Sequence, residues 1–221
     1  MKAQLVKRLS KKYLLPNLPG FDVKGPLLYR QDLQYLLQGF CFESSAFSRD
    51  RFTIYVFVQP LYIPSTYLFF NFGDRISFLS KGRDIWWEYD EAHENEIMDE
   101  VLATISHYGV PFLEERKSLE KFIHRYKKYD PKGNPHIIEG VCYAYVLTED
   151  YIKARSLLSS FIRVLADDIR EAPTITWIVE MQTRAQSILG YLENQDFISA
   201  KEQLDQWKSF TLTKLGLQEK Q

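Results

Sequence analysis

The sequence predicts an α+β fold: an antiparallel sheet of four to five strands with packed helices, followed by an α-helical region. Three observations predict it. Phe and Tyr crowd residues 35–89 and thin out afterwards. Within that stretch the apolar pattern has a period of two, as strands require. Farther on the period becomes helical, and one helical hairpin is written twice. Tyr145, Asp150, Tyr151, Ile152, Ala154, Arg155 and Leu158 recur as Tyr191, Asp196, Phe197, Ile198, Ala200, Lys201 and Leu204, with 46 residues from Ala154 to Ala200.

The elements follow in order. Residues 2–14 place Leu5, Val6, Leu9, Tyr13 and Leu14 on one side of a helix and Lys2, Lys7, Arg8, Lys11 and Lys12 on the other, with Pro16 ending it. Pro16, Pro19, Gly20, Gly25 and Pro26 then punctuate a turn-rich connection. Strands are expected at 27–30, 34–43, 51–58, 66–72 and 85–89, the third β-branched and aromatic throughout. Short loops between them favour an antiparallel meander, and both of its faces are apolar enough to need cover. After Glu91, Ile97, Val101, Leu102, Ile105 and Tyr108 form one helical stripe that Gly109-Val110-Pro111 stops. A further helix covers 111–126. The segment 130–135, Asp-Pro-Lys-Gly-Asn-Pro, reads as a linker between an aromatic-rich α+β domain at 1–129 and a helical-hairpin region at 136–221. A helical stretch broken near Pro173 separates the two hairpin copies.

Asp150 and Asp196 stand where a helix N-cap is wanted, because a side-chain oxygen there accepts an orphan backbone N–H. Ala154 and Ala200 are small enough for a neighbouring helix to come close. On this reading every recurring residue packs or caps. A functional surface then falls on what differs between the copies, such as Lys153 against Ser199 and Arg163 against Ser209. The hairpin resembles the tetratricopeptide repeat, in which an aromatic closes the first helix, an Asp/Asn-aromatic turn follows and an Ala sits at the tightest contact. The likeness covers 138–165 and 184–210. It lacks the Trp-Leu-Gly opening, and Cys142 and Ile188 stand where that family has Gly. It implies a stack of helix pairs whose work is holding another molecule.

The first half carries a second likeness. Its basic N-terminal helix, Gly20-Phe21, Tyr29-Arg30, Gly39-Phe40, the Phe-Thr-Ile-Tyr-Val run at 52–56 and Tyr108-Gly-Val-Pro-Phe-Leu-Glu114 resemble a family of uncharacterised bacterial domains of unknown function. Several neighbours of that family look like antitoxin, immunity or defence proteins. The resemblance implies a bacterial protein of that kind and supplies no catalytic motif.

Composition narrows the chemistry. A formal net charge of −1 on 221 residues gives no general attraction to nucleic acid or anionic membrane. Two cysteines make no disulfide framework, and no apolar run is long enough to span a bilayer. No secretory segment opens the chain, so the expected location is cytoplasmic. His93-Glu94 begins like a zinc motif, but Ile97 occupies the place of the second histidine. Glycine-rich phosphate loops and a Gly-x-Ser-x-Gly elbow are absent, so no catalytic, cofactor or metal residue is assigned and no cofactor is expected. Glu91, Glu94, Glu96, Asp99 and Glu100 read as solvated acids favoured at a helix start. The expected activity is non-enzymatic interaction with another protein, in immunity or defence. Its candidate surface combines Tyr29, Arg30, Gln59, Trp86, Trp87, Lys153 and Arg163. Adjacent tryptophans on a strand point opposite ways, so one faces the core and its neighbour is left as a contact anchor. The alternative is an enzyme or small-ligand binder with a pocket between sheet and helices near Tyr29, Arg30 and Gln59.

Overall fold

Period-two patterning has its expected consequence in an antiparallel sheet of six strands, β1 (Phe21–Lys24), β2 (Leu27–Arg30), β3 (Leu36–Ser44), β4 (Arg51–Pro60), β5 (Gly73–Arg75) and β6 (Trp87–Glu88). The structure, a computed structural model, describes residues 2–48, 50–76, 85–128 and 133–218. The strands run in sequence from β1 to β5, and β6 pairs with β4 beyond the β5 contact, Phe52 opposite Trp87 and Tyr55 opposite Arg75. Apart from the helix at Ala3–Leu9, the helices follow the sheet and lie mostly in the C-terminal half. This is the α+β architecture that the sequence predicts.

The chain forms two compact units: Met1–Gln59 with Phe69–Lys117 and Gln218–Gln221, and Pro60–Leu68 with Ser118–Leu217. The division at Lys117/Ser118 precedes the expected linker at 130–135, of which residues 130–132 lie outside the described residues. The helix at 119–126 therefore belongs to the helical unit.

In the sheet unit, α1 (Ala3–Leu9) continues as a π-helical turn to Leu14 and ends over Pro16. Helix α2 (Glu94–Thr104) passes through a second π turn, Ile105–Gly109, into α3 (Val110–Glu114). The expected stop at Gly109-Val110-Pro111 is thus not a stop. Proline is tolerated at the start of a helical segment, where no N–H partner is required. The expected helix over 111–126 instead breaks after Glu114. The sheet face carrying Phe21, Phe40, Phe42 and Phe52 is tightly filled: Phe21 stacks on Phe40 at 5.9 Å and Phe52 on Trp87 at 5.6 Å. Gly109 passes so close that a Cβ there would lie 2.4 Å from the Phe40 ring.

The strands depart from the sequence reading in two further places. A strand at 66–72 does not form; those aromatics lie in an irregular segment, where Phe70 packs on Tyr55 at 5.0 Å and Phe57 at 5.2 Å, and pairing begins only at Gly73. Strand β1 was hidden among turn residues, because four residues between glycines carry too little periodicity to register.

The acid run at the start of α2 also departs from expectation. Glu94 is buried, and its carboxylate accepts from Arg8 Nη2 at 2.5 Å and Nη1 at 3.1 Å, Tyr89 Oη at 2.8 Å, Tyr13 Oη at 2.9 Å and Lys12 Nζ at 3.1 Å. One carboxylate thereby fastens α1 to α2. The Arg8 hydrogen bonds, against the opposing effect of burial, hold its carboxyl well below the ordinary value of 4.5. A depressed folded-state pKa stabilises fully above the unfolded value and is lost as pH falls through the folded one. The Glu94 contribution is therefore complete above about pH 4.5 and fades in more acidic solution. Glu94→Gln should cost about 1–3 kcal/mol at neutral pH and flatten the acid limb of stability, read by urea unfolding against pH.

Gly39 marks a second constraint. It lies opposite Tyr29, and a Cβ there would come 2.3 Å from the Leu28 carbonyl oxygen and 2.9 Å from Tyr29 Cα. Backbone cannot yield as a side-chain tip can. Gly39→Ala should lower stability by about 1–3 kcal/mol in urea titration, although alanine suits a strand better than glycine does.

The helical unit comprises α4 (Leu119–Tyr126), α5 (Pro135–Leu147), α6 (Tyr151–Glu171), α7 (Thr176–Glu193) and α8 (Phe197–Leu215). Four of the five have a side-chain N-cap, from Ser118, Asn134, Asp150 and Asp196. Helix α5 is buried around its circumference and contacts α4, α6 and α8. Residues 60–68 complete its cover: Tyr62 Oη donates to the Gly140 carbonyl at 3.0 Å. Thr211 Oγ1 on α8 ties the same segment twice, donating to the Ile63 carbonyl and accepting from the Ser65 N–H, both at 3.1 Å.

Candidate functional site

The written-twice hairpin produces two matching turns. Residues Glu149 and Gln195 adopt left-handed backbone, φ 63° and 58°. The next N–H in each copy reaches back to the aromatic that closes the first helix, Asp150 to Tyr145 and Asp196 to Tyr191, both at 2.9 Å. Each Asp then caps its helix, accepting from Lys153 N–H at 3.3 Å and Ser199 N–H at 3.1 Å. Ala154 and Ala200 are fully buried, as close helix approach demands.

Three contacts bring the two turns side by side. Tyr151 and Phe197 stack at 4.0 Å with a 9° interplanar angle. Lys201 Nζ donates to Glu149 Oε1 at 2.6 Å. Arg155 Nη2 donates to the Leu192 carbonyl at 2.9 Å, placing a cation on the C-terminal turn of α7.

Directly after the stacked rings come Ile152 and Ile198, which are 86% and 74% exposed. This corrects the expectation that every recurring residue packs or caps. The repetition was visible in the sequence. Its exposure was not, because apolar residues in the first helical turn are equally compatible with burial. The residues that differ are less distinctive: Lys153 is paired with Asp150 at 2.5 Å, and Arg163 is an exposed side chain on α6.

The helical unit also contains a buried ion pair. Glu139 is fully buried on α5 and accepts from Arg184 Nε at 2.8 Å and Nη2 at 3.3 Å, and from Tyr143 Oη at 3.2 Å. Arg184 belongs to α7, so one carboxylate joins helices of both hairpins. Burial without a partner is far costlier for a charge than for an apolar group. Arg184→Met should therefore destabilise the protein by about 3–5 kcal/mol, and Glu139→Gln combined with it should recover part of that loss in the same chemical-denaturation assay.

The other candidates lie in the sheet unit and serve different ends. Tyr29 is buried opposite Gly39. Gln59 is buried and its Oε1 accepts from the Phe69 N–H at 3.2 Å, closing the neck of the excursion at 60–68. Trp87 is buried against Phe52, whereas Trp86 is half-buried and lies 5.5 Å from the Arg75 guanidinium. Arg30 lines a cleft of about 500 Å³ between the sheet and the 106–114 helical segment, together with Phe21, Asp32, Val110 and Glu114. Within this unit, then, Tyr29, Gln59 and Trp87 are buried, whereas Arg30 and Trp86 are partly exposed.

Cys41 is a half-buried thiol pushed up to about 11 by burial, and burial in the core also raises Cys142 well above the ordinary value. Neither supplies thiolate at neutral pH. Among the described residues no group of three or more His, Cys, Asp or Glu could hold a metal ion, and no helix is long and apolar enough to cross a membrane. No protein-family model matches the chain, and neither a curated protein nor a solved structure matches it.

Proposed function

We propose that this chain is a non-enzymatic protein-interaction protein whose contact surface is the turn edge of its two hairpins. The observation that carries the reading is the exposure of Ile152 and Ile198 at equivalent positions. Neither isoleucine contributes appreciable burial to the fold, and a polar residue would serve a helix surface as well or better. The stacked Tyr151 and Phe197 fix the spacing between the two helix starts, and the Lys153–Asp150 and Lys201–Glu149 pairs supply a charged rim. An apolar centre with a polar surround on rigid elements is the anatomy of a specific protein contact. The likeness to tetratricopeptide hairpins favours the same use. The likeness of the first half to a bacterial family with immunity and defence neighbours makes a toxin the leading partner class.

The test compares wild-type protein with the Ile152→Asp/Ile198→Asp double variant as bait in the source lysate, with captured proteins quantified by mass spectrometry. A partner held by the wild type and depleted at least about tenfold by the variant is expected, because each isoleucine buried in a contact is worth about 1.5–3 kcal/mol. Unchanged capture by the variant, or no partner for either bait, would overturn the proposal. Both substituted positions are solvent-exposed, so the thermal midpoints should agree within about 2 °C and exclude unfolding as the cause.

A further inference from the structure

The sheet unit carries a separate feature that the hairpin edge does not explain: its two end strands have their outward backbone groups already occupied. β1 and β5 end the strand order, and both are short. In an antiparallel pair, alternate residues turn their N–H and C=O away from the partner strand. The Gln31 N–H donates to the Gly20 carbonyl at 2.9 Å, which fixes the phase. Asp22 and Lys24 therefore direct their backbone groups at β2, while Phe21 and Val23 direct theirs outward. Outward groups of this kind are the template on which a further strand adds.

At β1 three of these four groups are engaged within the chain. The Phe21 N–H donates to the Leu18 carbonyl at 3.2 Å, and the Phe21 carbonyl accepts from Gln31 Nε2 at 3.1 Å. The Val23 N–H donates to Asp22 Oδ1 at 2.7 Å. The opposite end repeats the arrangement. The Val58 N–H donates to the Phe72 carbonyl at 3.3 Å, so Gly73 and Arg75 turn away from β4. The Gly73 N–H donates to the Phe70 carbonyl at 3.0 Å, and the Arg75 N–H to Asp74 Oδ1 at 2.7 Å. At each end an aspartate accepts the N–H of the residue that follows it. Each of these two bonds lies within its own strand and joins no two elements. An arriving strand would have to break them, and would bring a carbonyl oxygen against a carboxylate where it needs an N–H.

We propose that Asp22, Gln31 and Asp74 close the ends of the sheet to strand addition, keeping a second copy of this chain from pairing along them. This device is independent of the hairpin edge, which belongs to the other unit.

The test uses the full chain. Asp22→Ala/Gln31→Ala bares the Val23 N–H and the Phe21 carbonyl. Sedimentation equilibrium should then show self-association at least about tenfold tighter than in the wild type, since each new backbone hydrogen bond is worth about two- to tenfold. Hydrogen exchange at residues 21–24 should slow with rising concentration in the variant and stay constant in the wild type. Asp22→Asn keeps an oxygen acceptor and should associate as the wild type does. Asp74→Ala bares the Arg75 N–H and probes the opposite end, with slowed exchange expected at residues 73–75. Unchanged association in both alanine variants, or association without slowed exchange in these segments, would overturn the proposal. So would Asp22→Asn associating as strongly as the alanine variant. Thermal midpoints should stay within about 5 °C of wild type, the loss of one or two surface hydrogen bonds. A larger fall would assign these bonds to building the fold and equally overturn it.

Discussion

A helix that is buried around most of its circumference has to be enclosed, and the helical unit is organised by that requirement at α5. Nine of its thirteen residues are buried, so one neighbouring helix cannot suffice. Helices α4, α6 and α8 pack against it, Arg184 reaches it from α7, and residues 60–68 add to the enclosure through Tyr62 and Gly140. The same demand explains why the chain leaves β4 after Gln59 and returns at Phe69, with the Gln59 side chain holding the two ends together. An aromatic segment that reads as a strand in isolation is drawn into other work. Local propensity yields to a larger apolar surface needing cover.

Carboxylates settle much of what apolar burial leaves open. Hydrophobic contact is non-directional and fixes neither rotation nor register. Glu94, Glu114 and Glu139 each accept from an arginine distant in sequence, and each does so at an element junction: α1 with α2, β2 with α3, and α5 with α7. Glu139 is the extreme case, because full burial makes its correct pairing obligatory. These acids act as locating pins. The dense acid run of the sequence therefore concealed one structural residue among solvated ones. Glu94 is distinguished only by the basic and phenolic groups that the N-terminal helical segment and Tyr89 bring to it.

This separates what was legible from what was not. The sheet was readable in the period-two pattern at 27–30, 34–43 and 51–58, which overlaps β2, β3 and β4, and the hairpins in the spacing of Asp, Ala and aromatic residues, because each signal is local in the chain. Strand β1 and the π turn at Gly109 fell below that scale. The Arg30–Glu114 pair spans 84 residues and Arg184–Glu139 spans 45, and no local pattern announces either. Site residues fared accordingly. Arg30 was noticed as a polar residue on an aromatic strand, but its cleft depends on a helical segment that the expected stop at Gly109 would have ended. Gln59 and Tyr29 were polar positions with internal partners or cover, which composition cannot separate from exposed ones.

The isoleucines invert the usual use of a repeat. Recurrence normally identifies the residues that build a scaffold, since every copy must solve the same packing problem. Tyr145, Asp150, Ala154 and Leu158 obey that logic with their counterparts: the aspartates cap and the alanines disappear into helix contacts. Ile152 and Ile198 recur with the same spacing and solve no packing problem within the chain. Stacking of Tyr151 on Phe197 then converts recurrence in sequence into neighbouring positions in space. The partner proposed for this edge would gain from that fixed spacing, because the entropy of aligning two contact residues has already been lost in folding. The repeat is thus a scaffold at its buried positions and a duplicated exposed isoleucine beside them. One duplicated turn accounts for both.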